Sequence, residues 1–316
     1  MKTLISRRTF IKSTAGIVPI SISAAGAVSA INTNTISASA PENTMPMIPF
    51  GKSQVSKLVI GSNTVNGGSH LSRFVDNSMK EYFTNEKIQE FLGRCQKEGI
   101  NLFQGSSTGS NLEQCDKFRK SGGSMHYICL INSQDTNAGQ QIETAVKTSA
   151  LGLAHHGEVT DSLFKKGEID KVQDCLKKIR DAGLLVGLST HMPAVVEYVE
   201  EKGWDLDFYM TCVYERHRSA DELRKLLGYV PLPVREVYLE EDPPRMYKMI
   251  KATRRTCLAF KILAAGRLCN NEKLVAEAFK NTFANIKPTD GAIVGMFPRW
   301  SDQVTENADL VRKFGG

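Results

Sequence analysis

The chain lacks the run of ~18 or more uninterrupted apolar residues that a membrane-spanning helix needs. It has no C-x-x-C pair, so neither a thiol–disulfide redox motif nor a zinc ribbon can be built from neighbouring cysteines. The seven cysteines are odd in number, and Cys95, Cys115, Cys129, Cys175, Cys212, Cys257 and Cys269 sit mostly in apolar runs. A thiol there packs as a small buried hydrophobe. No block of Lys and Arg with interleaved aromatics occurs, which removes the footprint of nucleic-acid binding. The net charge of +6 is partly carried by the N-terminus and indicates no partner. No G-x-G-x-x-G follows the first candidate strand, which argues against an open dinucleotide-binding sheet.

What is present begins with an address. Ser6-Arg7-Arg8-Thr9-Phe10-Ile11-Lys12 matches the twin-arginine export pattern S-R-R-x-F-L-K with Ile for Leu. A mildly apolar stretch, Ala15 to Val28, follows, and Val28-Ser29-Ala30 offers a small-residue cleavage site. Residues 1–30 are therefore expected to be a signal peptide engaging the twin-arginine machinery, and the mature chain to be periplasmic. Residues 31–48, rich in Asn, Thr, Ser and Pro, are expected to be a flexible leader. Residues 49–316 remain, the size of one α/β barrel.

In that part short apolar runs alternate with amphipathic segments. Strands are expected at Lys57–Ser62, Asn101–Gly105, His126–Ile131, Leu151–His155, Leu185–Ser189, Phe208–Val213, Leu258–Leu263 and Ala292–Met296. Between them, segments such as "NEKIQEFLGRCQKEG", "EIDKVQDCLKKIRDAG" and "NEKLVAEAFKNTFANI" carry apolar residues at helical spacing, with Gly99, Gly183 and Gly203 placed as left-handed caps. Eight strand–helix units predict a single-domain (β/α)8 TIM barrel, whose chemistry belongs on the loops after the strands. Five of the six histidines fall near those strand ends, which marks a polar pocket.

The ordered motifs carry a resemblance. "FGKSQVSKLVIGS", "GINLFQGSSTG", "GLAHHG", "AGLLVGLSTHMPAVVEYV", "CLAFKILAAGRL" and "VTEN" resemble successive segments of the aldo-keto reductase superfamily over nearly all of residues 48–316. The resemblance implies a barrel binding NADP or NAD and acting on a small carbonyl or sugar-like substrate. It implies Ser189 and Thr190 at the nicotinamide amide, Phe260 stacked on its ring, and Arg299, Glu306 and Asn307 at the adenine end. The family's acid machinery is depleted: Gln104 stands at its aspartate, Thr108 at its tyrosine, and Asn132 is the nearest polar residue to its lysine. Its histidine survives as His155 or His156. A threonine hydroxyl cannot replace a phenol tuned by a nearby ammonium, so ordinary carbonyl reduction is not expected. An oxidoreductase would need His155, His156 and Glu158 for proton transfer, and outside the cytoplasm it would have to hold its cofactor tightly.

Three other readings stay open on the residues alone. His70, His156, His191, Glu215 and His217 come from loops that converge at a barrel mouth, and three N/O ligands among them suit Zn²⁺ or Mn²⁺ in a lyase, isomerase or hydrolase. Lys261, desolvated inside a barrel, could serve as a Schiff-base nucleophile. A non-catalytic ligand-binding descendant is the third.

Overall fold

The structure, a computed structural model, describes residues 44–316. The expected signal peptide and residues 31–43 of the expected leader lie outside the described residues. Eight parallel strands close a barrel in the order β10-β3-β4-β5-β6-β7-β8-β9. Their ranges are β3 Leu58–Gly61, β4 Leu102–Ser106, β5 His126–Ile131, β6 Gly152–His155, β7 Leu185–Thr190, β8 Phe208–Cys212, β9 Thr256–Phe260 and β10 Gly291–Val294. Each falls within two residues of the start predicted from its apolar run, so the expected single (β/α)8 barrel is the observed fold.

The folded region begins earlier than the pattern suggested. Residues 44–48, assigned to the leader, include buried Met45 and Ile48. Ile48 belongs to a hairpin, β1 Met47–Phe50 paired antiparallel with β2 Ser53–Ser56. Ile48, Phe50 and Val55 of the hairpin join Val59, Leu102, Ile128, Phe208 and Leu258 in one apolar cluster. Phe50 packs on Phe208 with ring centroids 4.9 Å apart. The hairpin thus contributes to the core enclosed by the strands, a contribution that a composition rich in Asn, Thr and Ser just upstream obscures.

Strand residues alternate between this inner cluster and the larger core under the helices. Along β5, Ile128 belongs to the inner cluster while Tyr127 and Cys129 belong to the outer one. Along β8 the same holds for Phe208 and Met210 against Tyr209. Period-two alternation is the geometry of any strand; here both faces are apolar because helices cover the outside. All seven cysteines are free thiols, and six are buried, as expected from their apolar surroundings.

Candidate active site

Strand phase decides which polar residues reach the barrel mouth. In β6, Ala154 points into the inner cluster, so His155 points outward and His156 inward. His155 is fully buried, with Nδ1 2.7 Å from Thr160 Oγ1 and Nε2 2.8 Å from Ser133 Oγ. Burial holds its pKa down to about 3, so it is a neutral packing residue. The expectation that His155 acts in catalysis is corrected on this point, because both ring nitrogens are occupied away from the cavity. His156 lines the cavity, with Glu158 beside it at the start of α5 (Gly157–Lys165).

The cavity at the mouth has a volume of about 500 Å³. It is walled by Gln104, His156, Glu158, Ser189, His191, Arg216, Phe260 and Lys261, together with the loop after β3 and the start of the loop after β10. Lys261 follows β9 with a left-handed φ of 60°, and Ala264 and Ala265 in the same loop have φ 49° and 51°. Left-handed conformations are costly for residues with a Cβ and persist where surrounding structure enforces them. Lys261 is the cavity's primary amine. Among the described residues it has no hydrogen-bond or ion-pair partner. Burial, helped by Arg216 and opposed by Cys212, Glu236 and Glu158, lowers its pKa to about 8.

Behind one wall lies a buried carboxylate with two imidazoles. Asp161, on α5 and wholly buried, accepts hydrogen bonds from Thr190 Oγ1 and from the His191 backbone N–H at 3.0 Å. Its Oδ2 lies 2.8 Å from His191 Nδ1 and 3.6 Å from His217 Nε2. The two imidazole rings meet at a tilt of 60°, with centroids 4.6 Å apart. Burial pushes Asp161 up to about 6, against the hydrogen bond from Thr190 and the neighbouring His217. Burial also lowers His217 to about 4, and burial with Arg216 and Lys261 holds His191 well below its ordinary range. The approach of α5 to β7 depends on Gly157, where a Cβ would stand 2.9 Å from Ser189 Oγ and 3.1 Å from His191 Cε1.

Glu236 ties the lip together. It accepts from Arg216 Nη2 and from Tyr238 OH at 3.0 Å, and lies 2.9 Å from His70 Nδ1. Arg267 stacks over Tyr238 at 4.2 Å and donates to the His70 carbonyl oxygen. Loops after β3, β8 and β9 are therefore joined at one carboxylate.

The expected metal set is split by this arrangement. His191 and His217 come together, His156 stands at the cavity, and His70 is turned to Glu236. Glu215 binds Arg218 and Arg245 at 3.2 and 2.6 Å and lies outside the cavity wall, so it is not a ligand of the His191–His217 pair. Asp161 takes that position; its ligand atom and those of the two histidines lie within 4.8 Å of one another.

The expected cofactor set divides as well. Ser189 and Phe260 face the cavity, Phe260 packing edge-on against His191 at 5.5 Å. Thr190 points outward to Asp161, because it is out of phase with Ser189. Arg299 is exposed and bonded to Ser78, while Glu306 and Asn307 lie on α11 (Gln303–Phe314), all three outside the cavity wall. Of the replaced acid positions, Gln104 lines the cavity and bonds its neighbour's carbonyl, whereas Thr108 is exposed and paired with Ser106. Asn132 bonds Asp135. No proton donor of the reductase type stands at these three places.

Asp161 and Glu236 were missed in the sequence because neither belongs to a motif. Asp161 sits in "GEVTDSLF", one turn into a helix, and the only hint is an acidic residue at a position helical spacing would bury.

No protein-family model matches the chain, and no curated protein matches it in sequence. Solved structures do match in fold. One is the glycerol dehydrogenase AKR11B4 from Gluconobacter oxydans, 13% identical, covering 87% of this chain and 97% of its own, with TM-score 0.50. Another is a putative 2,5-diketo-D-gluconic acid reductase B, 9% identical, covering 87% and 88%, with TM-score 0.51. A 3-keto-L-gulonate-6-phosphate decarboxylase from Vibrio cholerae also aligns, 12% identical, covering 86% and 99%, with TM-score 0.46. Aldo-keto reductases are among the structures that share this architecture, and at these identities the likeness is one of fold alone.

Proposed function

We propose that this barrel acts on a small, sugar-like carbonyl compound through the amine of Lys261. The observation that carries the reading is the placement of that amine in a 500 Å³ cavity with no ion-pair partner among the described residues. An amine held by a carboxylate would stay protonated; one lowered to about 8 has a useful neutral fraction. The neutral Nζ adds to the carbonyl carbon, the C=O π pair moves to oxygen, and one proton of the nitrogen passes to that oxygen. A second proton, drawn from solvent, lets the hydroxyl leave as water while the nitrogen lone pair forms C=N, giving an iminium ion, an electron sink for breaking an adjacent C–H or C–C bond. His156 and Glu158 stand at the same wall to move protons, and the Glu158 carboxyl is held below the ordinary carboxylate range, its burial outweighed by the neighbouring histidines and Arg216.

The test is reductive trapping. Pyruvate or dihydroxyacetone with cyanoborohydride should add one alkyl group, mapped by peptide mass spectrometry to Lys261. Lys261→Met should abolish that adduct. Labelling spread evenly over surface lysines would overturn the reading.

A second reading is favoured by the inward placement of Ser189 and Phe260, where a reductase-like chain would hold the amide and ring of NADP or NAD. Protein purified without added nucleotide should then release NAD(P) on denaturation. Phe260→Ala should weaken retention by ~1 kcal/mol beyond lost area. A nucleotide-free preparation that also binds no added NADPH excludes this reading. In either case we propose, from the Arg7-Arg8 pattern, that the mature protein works outside the cytoplasm and meets its sugar-like substrate there.

A further inference from the structure

We propose that Asp161, His191 and His217 form a divalent transition-metal site, best suited to Zn²⁺, that ties helix α5 to the loops after β7 and β8 in the wall of the cavity. The three side chains come from α5, the loop after β7 and the loop after β8, so no spacing motif announces them. Their ligand atoms lie 2.8 and 3.6 Å from one another along Asp161 Oδ2 and all within 4.8 Å. Atoms that share one ion at ~2.0–2.2 Å fall in this range, and two imidazoles with one carboxylate are a ligand set that Zn²⁺ takes.

Two features distinguish the cluster from a satisfied hydrogen-bond network. His217 Nε2 is buried and has no hydrogen-bond partner; at 3.6 Å the Asp161 oxygen is beyond hydrogen-bond length. Asp161 is wholly buried, and the groups within ion-pair distance of it among the described residues are the two imidazoles, with no Lys or Arg. A buried carboxylate without a cation is unfavourable, and a bound divalent ion would answer the carboxylate and the orphaned nitrogen together. The positive groups nearby do not preclude it. Arg216 is neutralised by Glu236, and Glu158 adds a negative charge on the same helix. Only His191 of the three reaches the cavity surface, so the ion belongs to the wall and fixes the side chain that touches the substrate space.

The proposal is independent of Lys261 chemistry and is tested without any activity. Full-length mature protein, stripped with a chelator, would be titrated with Co²⁺ by visible absorption and with Zn²⁺ by calorimetry. One ion per chain is expected, with the ligand-field bands of a site containing nitrogen ligands, and a raised melting temperature on loading. His217→Ala should weaken binding at least ~100-fold, more than loss of an outer-shell partner would. Should that variant fold poorly by circular dichroism, His217→Gln supplies the same test. Glu215→Gln and Lys261→Met should bind as the parent does. Absence of binding to the parent at a tenfold excess of ion, or unchanged affinity without His217, overturns the site. Loss of binding in Glu215→Gln would overturn this ligand set.

Discussion

Raising the pH from 7 to 9 should switch Lys261 from mostly charged to mostly neutral, and no ordinary surface lysine should follow it. The amine is buried next to Arg216, and its pKa falls from 10.5 to about 8. At pH 7 about one molecule in ten then carries a neutral amine, against about one in three thousand for an unperturbed lysine. At pH 9 the neutral fraction is about nine tenths, against about 3%. The assay is reductive ¹³C-methylation followed by NMR, with the Lys261 resonance identified by its loss in Lys261→Met. Its titration midpoint should lie near pH 8, and the initial rate of carbonyl trapping should climb about tenfold between pH 7 and 9. The sign of the stability effect follows from the same shift. Between pH 8 and 10.5 the unfolded chain binds more protons at this residue than the folded one, so folding strengthens as pH rises through that window. The melting-temperature gap between Lys261→Met and the parent should therefore narrow from pH 8 to 10. A midpoint near 10.5 would refute the reasoning, since it would mean that the amine reaches solvent or a carboxylate.

Gly157→Ala should destabilise the fold by about 1–3 kcal/mol in urea unfolding, because its methyl would meet Ser189 and His191 at 2.9 and 3.1 Å; an unchanged midpoint would show that α5 can shift freely. Asp242→Ala should cost about 1–3 kcal/mol, as it leaves the part-buried Arg218 without the carboxylate that accepts from both its terminal nitrogens; an unchanged stability would show that Glu215 suffices. Changing Arg7 and Arg8 together to Lys should leave uncleaved precursor in the cytoplasm, seen by fractionation and immunoblot, and normal export of that variant would remove the twin-arginine assignment.

Eight apolar runs with amphipathic segments between them were enough to determine the barrel. The strands must bury both faces and the helices one, and with no G-x-G-x-x-G to favour an open sheet, eight such units close into the barrel observed. Left-handed caps at Gly99, Gly183 and Gly203 were legible for the same reason, since the helical pattern stops there and φ is 80°, 77° and 62°. The hairpin strand at Met47–Phe50 was partly hidden, because two of its four residues are buried and its neighbours upstream look like a tether. Strand ends also showed which loops meet at the mouth, and hence that His156, Ser189, His191 and Lys261 were worth naming. What the sequence left open was phase. In a strand apolar on both faces, alternation carries no label for inside or outside, so His155 and His156 read alike until β6 is registered against β5 and β7. The same ambiguity made Thr190 look like a companion of Ser189, although neighbouring strand residues face opposite ways. Asp161 and Glu236 lay beyond reach for a different reason. Asp161 meets His191 from 30 residues away and Glu236 meets His70 from 166 residues away, and only closure of the barrel sets those groups within a few ångströms.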